Sequence, residues 1–280
     1  LLNEKHIDQI VRVAGSGIES IIKTKNPLSF FSKFFLKRLY KNSKYIIAVS
    51  KNTKRLMAEE DEYFSPEKIR LIYNGIDDEF VKQEKNLSLQ ENYKVDKDTF
   101  ILLTVSRLLP RKGQDFVIKA LGKIRNKNIK YICVGDGSYK GKYKSLVASL
   151  DLQDNVFFPG GIERKDIHKF YDFANAFILC NRTWNSKIEG LPNVAIESMA
   201  RSVPVIGSRN SGTEELIKDG INGYLVNSED IDDIAQKISF AYKNKDRLSS
   251  LGSSAKINIE ENFSFKRMKF DYLDLIKDEN

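Results

Sequence analysis

Two glutamates, Glu189 and Glu197, stand eight positions apart, separated by Gly190-Leu191-Pro192 and the start of an apolar run. The preceding Ala176-Phe177-Ile178-Leu179-Cys180 reads as a buried strand, and Asn193–Ala200 as a helix with Asn193 as its N-cap. A strand, a glycine-containing loop and a helix start leave free backbone N–H groups at the helix N-terminus, where phosphate binds well. Glu197 then lies about one turn inside the helix, able to accept two hydrogen bonds from a vicinal diol such as a ribose. Glu189 precedes the turn, nearer to any group attached beyond the phosphates. On these residues alone, a capped helix with solvated glutamates is an equal alternative.

Positioning such groups requires a regular scaffold, and from Thr99 onward short apolar strands alternate with amphipathic helices. Strands are expected over 100–105, 130–134, 155–158, 176–180, 203–206 and, more briefly, 223–226, and helices over 114–124, 140–150 and 165–173. Unbroken apolar strands imply burial on both faces, hence a parallel sheet with helices on each side, a doubly wound α/β domain. Ligands of such sheets bind beyond the carboxyl ends of the strands. There Arg107 and Lys112, within Ser106-Arg107-Leu108-Leu109-Pro110-Arg111-Lys112-Gly113, can neutralise a diphosphate, Arg as a planar fork and Lys as a point charge. Gly135 and Gly137 flank Asp136 and permit close backbone approach to a ligand, although Gly-Asp-Gly is also ordinary turn chemistry. Ile162 offers an apolar surface to a base, and the segment Ser208 to Glu215 starts a helix with a capping-type Ser or Thr. Residues 1–82 carry a shorter version of the pattern, with strands at 10–14, 45–49 and 69–73. Residues 82–97 read as a linker, and 263–276 as an amphipathic helix that needs a surface to dock on.

The 280 residues, 41% of them hydrophobic, suit a folded protein of one large or two ordinary domains. Cys133 and Cys180 each lie inside an apolar run, which points to buried thiols in a reducing compartment, and two distant histidines leave no zinc-type cluster. No stretch approaches a membrane span. The net charge of +8 is uneven: between Ile21 and Ala58 there are Lys23, Lys25, Lys33, Lys37, Arg38, Lys41, Lys44, Lys51, Lys54 and Arg55, and no acid. Phe31, Phe34, Phe35 and Leu39 recur there at helical spacing, so residues 21–58 are expected to meet an anionic membrane surface; a core helix with a solvated lysine stripe is the alternative. Few stacking motifs accompany the charge, so nucleic acid is not expected as a partner.

In order along the chain, Ser106-Arg107 with Lys112-Gly113, Gly135-Asp136-Gly137, the segment from Glu189 to Glu197, and Gly212-Thr213-Glu214-Glu215 followed by Asp219-Gly220-Ile221-Asn222-Gly223 resemble the nucleotide-sugar half of a family 4 glycosyltransferase, a retaining enzyme of GT-B fold. Ile47-Ala48-Val49-Ser50 and Ile72-Tyr73-Asn74-Gly75-Ile76-Asp77 resemble the last strands of that family's acceptor-side domain. The resemblance implies an incomplete Rossmann-like N-terminal domain over 1–82, a doubly wound Rossmann-like C-terminal domain over 83–262, and a helix at 263–280 packing back toward the first domain. It implies that Arg107 and Lys112 grip the donor diphosphate and that Glu197 holds the ribose hydroxyls. Glu189 would contact the donor sugar near the reacting carbon, Gly190, Leu191 and Asn193 would give backbone contacts, and Ile162 would meet the nucleobase. The implied donor is a UDP- or GDP-sugar, used without metal or separate cofactor, and the implied acceptor a saccharide, growing or linked to polyprenyl diphosphate. Cytoplasmic placement, peripheral at the inner face of the cytoplasmic membrane, goes with this reading. On the same resemblance Ala14 stands where many members of the family have His, and the opening of the first domain is expected to precede these residues. The chain is therefore expected to bind donor and to transfer poorly alone, the alternative being a catalytically silent nucleotide-sugar-binding fragment.

Overall fold

The computed structural model describes residues 9–13, 29–60, 62–89, 93, 95–96, 98–184, 190–209 and 211–277, with side-chain detail in the first helix beginning at Lys33. They form two parallel sheets. In the smaller, β1 (Ile10–Val13), β2 (Tyr45–Ala48) and β3 (Ile69–Leu71) lie in the order β1-β2-β3. In the larger, β4 (Phe100–Val105), β5 (Ile129–Val134), β6 (Val156–Gly160), β7 (Ala176–Leu179), β8 (Val205–Ser208) and β9 (Gly223–Val226) lie in the order β6-β5-β4-β7-β8-β9. This is the α/β, doubly wound arrangement expected for GT-B. Its order reverses between β4 and β7, which makes the carboxyl ends of those two strands the topological switch point.

The apolar runs explain the layering. Leu102, Tyr131 and Ile178 face one side, against Val117, Ile118 and Leu121 of helix Gln114–Ile124 and Ile234 and Ile238 of helix Ile231–Lys243. Leu103, Ile132 and Phe177 face the other, against Tyr171 of helix Ile167–Phe173, Ile196 and Met199 of helix Asn193–Ala200, and Ile259 of helix Lys245–Asn262. Alternate residues of one strand thus feed two cores.

Two expectations need adjustment. Asn193 is the first helical residue rather than the N-cap; Pro192 occupies the cap position, with no side-chain capping bond. The strand expected at 203–206 runs over 205–208, because the Val203 N–H is taken by the Ser198 carbonyl (3.0 Å) and Pro204 has no N–H to give. The two helices spanning 231–262 were not read from the sequence at all. Among residues 33–42 of the basic helix Ser29–Asn42, Tyr40 is buried and Leu36 a partner in its core, whereas Phe34 (57% exposed), Phe35 (65%) and Leu39 (37%) face outward.

The chain crosses between the sheets twice, side by side. Ile76 N–H donates to the Phe263 carbonyl (2.9 Å), and Phe265 N–H donates back to Ile76 (3.1 Å). A β-carbon at Gly75 would lie 2.6 Å from the Phe265 α-carbon, so glycine is what lets the two crossings touch. Beyond the crossing, helix Phe265–Lys277 sets Leu275 against Ile47 and Ile72 of the smaller sheet's side.

Candidate functional site

The loops after β4 and β7 meet at the switch point. Gly113, with φ +74°, lies so close to the Cys180 carbonyl that a β-carbon would be 1.9 Å away; Arg182 N–H donates to the Arg111 carbonyl (3.0 Å), and Arg182 Nε to that of Pro110 (2.8 Å). Arg182 also pairs with Asp115 at 2.8 Å and covers the Phe116 ring. These contacts fix the short helix Pro110–Lys112, leaving Lys112 buried (8% exposed) and Arg107 exposed on the same loop. The next loop leans on this one: Leu108 N–H donates to the Asp136 carbonyl (3.0 Å), and β-carbons at Gly135 and Gly137 would fall 2.1 Å from the Ser106 carbonyl oxygen and 2.5 Å from that of Leu108. The close approach that Gly135 and Gly137 permit is in the first instance between two protein backbones.

Glu197 is mostly buried and held from two sides. The Tyr171 hydroxyl donates to its Oε2 at 2.9 Å, and Arg164 Nη1, from the loop after β6, reaches its Oε1 at 3.4 Å. Burial pushes its carboxyl above the ordinary glutamate range, against the opposing pull of Tyr171 and Arg164. Burial, and then Glu197 itself, raises the Tyr171 hydroxyl, so it stays protonated and donating. Glu197, Asn193, Ile196 and Arg164 line a cavity of about 570 Å³ whose opposite wall is Arg12, Asn74 and Gly75, beside Phe265 and Met268. Along that wall Arg12 donates to Asn74, and across the cavity Asn74 Nδ2 donates to Asn193 Oδ1 at 2.7 Å.

Of the residues singled out from sequence, Glu197 and Asn193 share this cavity. Arg107, Lys112, Gly135 and Gly137 sit on the loops at the same carboxyl edge of the sheet, outside its described wall. Leu191 is buried, Gly190 carries the Gly212 turn, and Ile162 packs partly into the core beside Arg164. Glu189 and Ala14 lie outside the described residues. Sequence reading missed Arg164, Tyr171, Arg12 and Asn74 as neighbours of the site. Arg164 follows Ile162 closely enough to have been suspected, but Tyr171 lies 26 positions from Glu197 and meets it through the fold alone. Two Asp-x-Asp triplets, Asp96-Lys97-Asp98 and Asp230-Ile231-Asp232, have their first carboxylates engaged locally: Asp96 accepts from Asp98 and Thr99 N–H, and Asp230 caps helix Ile231–Lys243. Among the described residues no three His, Cys, Asp or Glu side chains cluster as a metal site.

Two parallel α/β sheets, the larger doubly wound, joined by a double crossing and with a cavity between them, define a GT-B fold. Solved structures agree: HepE of Anabaena, in complex with UDP and glucose, has a TM-score of 0.82 at 20% identity, covering 97% of this chain and 72% of that one. Residues 88–257 match the family Glycosyl transferases group 1, and residues 18–80 match Glycosyltransferase Family 4. The chain belongs to the glycosyl transferases group 1 family. An uncharacterized glycosyltransferase of Methanocaldococcus jannaschii is 29% identical over 213 residues, 75% of this chain and 48% of the relative. A GDP-mannose-dependent alpha-(1-6)-phosphatidylinositol monomannoside mannosyltransferase of Mycolicibacterium smegmatis is 30% identical over 168 residues, 59% of this chain and 44% of the relative. The chain thus spans about half the length of these curated relatives.

Proposed function

We propose that this chain carries the donor-binding part, and some of the acceptor side, of a retaining glycosyltransferase that moves a hexose-type unit from a UDP- or GDP-sugar to a saccharide, growing or linked to polyprenyl diphosphate, in surface polysaccharide or glycoconjugate assembly. The carrying observation is the convergence at one sheet edge of the Arg107–Lys112 loop, the start of helix Asn193–Ala200 and a cleft-facing Glu197. In the reaction the acceptor hydroxyl oxygen bonds to the anomeric carbon on the face from which the diphosphate leaves; the bond from that carbon to the β-phosphate oxygen breaks, the electron pair leaves with that oxygen, and the acceptor proton passes to it. Arg107, Lys112 and the helix-start amides take up the developing charge. Glu197 holds the ribose hydroxyls, with Tyr171 and Arg164 orienting it; Ile162 lies against the base; Gly135, Gly137, Gly190 and Leu191 bring backbone near the phosphates and sugar. Glu189 contacts the donor sugar beside the reacting carbon. The named relatives, one GDP-mannose-dependent and one solved with UDP and glucose, support a nucleoside-diphosphate sugar and keep both bases in the proposal.

Helix Ser29–Asn42 supports a membrane-surface location for this activity. Its outward Phe34 and Phe35, flanked by Arg38 and Lys41, suit the anionic inner face of a cytoplasmic membrane, each of these basic residues contributing about 1 kcal/mol near such a surface, while Lys37 is engaged by Glu62 at 3.0 Å. No helix among the described residues is long and apolar enough to cross a membrane. The test is transfer from a panel of UDP- and GDP-hexoses to membrane-extracted lipid-linked saccharides, run with and without EDTA. The proposal expects product with the donor's anomeric configuration, formed equally in chelator; an inverted product or turnover abolished by chelator contradicts it.

A further inference from the structure

The turn Gly212–Glu215, after β8, sends a carboxylate across the cleft. Glu215 Oε2 accepts the Lys51 N–H at 2.8 Å, and Oε1 the Asn52 N–H at 3.0 Å. These are the first amides of helix Lys51–Ala58, which its own cap Ser50 leaves open while accepting from Thr53 N–H. A carboxylate there answers both the orphan donors and the positive end of the helix dipole. The Tyr73 hydroxyl donates to Glu215 Oε2 at 3.1 Å, and the Tyr73 ring packs on Phe263, 4.8 Å between centroids, beside the double crossing at Ile76 and Ser264. On its other side the turn rests on the loop that enters helix Asn193–Ala200: a β-carbon at Gly212 would lie 2.0 Å from the Gly190 carbonyl oxygen. One side chain therefore ties a helix of the smaller sheet, the crossing, and the loop that leads to Glu197.

Resting on the function proposed above, we infer that Glu215 is a positioning residue for transfer. It holds the smaller sheet's helices over the loop that enters Asn193–Ala200, so that an acceptor on one side meets a donor on the other. It acts through Lys51, Asn52 and Tyr73 rather than by touching either substrate.

Two variants test this. Glu215→Ala removes the carboxylate. Lys51→Pro removes one of its amide partners at the first helical position, where proline is tolerated, and Ser50, at φ −156° and ψ 159°, already has the extended backbone that precedes proline. Spin labels at Glu67→Cys and Glu229→Cys, both exposed, report the distance across the cleft; the native Cys133 and Cys180 are buried and do not compete. The unaltered protein is expected to show one narrow distance distribution, Glu215→Ala a broad one and Lys51→Pro an intermediate one, with the double variant no broader than Glu215→Ala because both act on one contact. With transfer from a UDP- or GDP-hexose to membrane-extracted lipid-linked saccharide as the activity probe, kcat falls at least tenfold in Glu215→Ala, while the Kd for UDP or GDP stays within threefold. An unchanged distance distribution in Glu215→Ala, or a retained kcat with the whole loss in nucleotide affinity, overturns the inference. Failure of the unaltered protein to bind either nucleotide counts against the proposed function instead, and the distance measurement still decides the clasp.

Discussion

On the proposed function Glu197 anchors the donor, and its buried surroundings set a cost. A carboxyl whose pKa is raised by folding holds its proton in the native state at a pH where the unfolded chain has released it. The native state then binds more protons, so stability falls as pH rises from the ordinary glutamate range through the raised native value. Glu197→Gln is expected to flatten that limb of a melting-temperature profile recorded without nucleotide and to raise the neutral-pH midpoint slightly; an unchanged slope would show that the burial cost lies elsewhere. Tyr171 tests orientation separately. Tyr171→Phe keeps the ring and removes the 2.9 Å bond, one of the charged type worth about 1.5–3 kcal/mol. Nucleotide affinity is expected to drop about tenfold with the fold intact, and equal affinity in both proteins would make the hydroxyl a bystander.

At the scale of elements, one buried pair fastens the strand-to-strand linker. Arg201, just past helix Asn193–Ala200, forks onto Asp172 at 2.8 and 2.7 Å, while its Nη1 donates to the carbonyls of Phe80, Val81 and Gln83 at the end of helix Asp78–Lys82. Both side chains are almost wholly buried, so Arg201→Met strands a carboxylate and is expected to cost about 3–5 kcal/mol, on the order of 10 °C in melting temperature. Adding Asp172→Leu should return much of that loss; a double variant as unstable as the single would place the damage in the linker carbonyls. The basic helix gives a second test: flotation with vesicles containing anionic lipid should be lost in Phe34→Ser/Phe35→Ser and weakened by salt, and binding indifferent to both would leave the helix a structural one. Most strands and the helix Gln114–Ile124 were legible because their apolar spacing is strict. Helix Lys245–Asn262 was not, since it buries little beyond Leu248, Leu251, Ala255 and Ile259 among serines and charges. Nor were the Arg201–Asp172 and Tyr171–Glu197 pairs, which link positions far apart in sequence and carry no local pattern.

For the whole molecule, the larger sheet's order β6-β5-β4-β7-β8-β9 reverses between β4 and β7, and the loops that carry Arg107, Lys112 and the start of helix Asn193–Ala200 lie at that carboxyl edge. The double crossing at Ile76 and Ser264, the Asn74–Asn193 bond and the Glu215 contact then bring the smaller sheet over that edge. Function on this account belongs to the cleft and not to either sheet alone. Its central claim, that the edge holds a nucleoside diphosphate through Lys112 and Glu197, is tested most directly by calorimetric titration of UDP and GDP into the protein and into its Lys112→Ala and Glu197→Ala variants. One nucleotide is predicted to bind the unaltered protein with one site per chain, and each variant to bind it at least tenfold more weakly, a loss of about 1.4 kcal/mol or more. Equal affinity in all three proteins, or binding of neither nucleotide to the unaltered one, would contradict it.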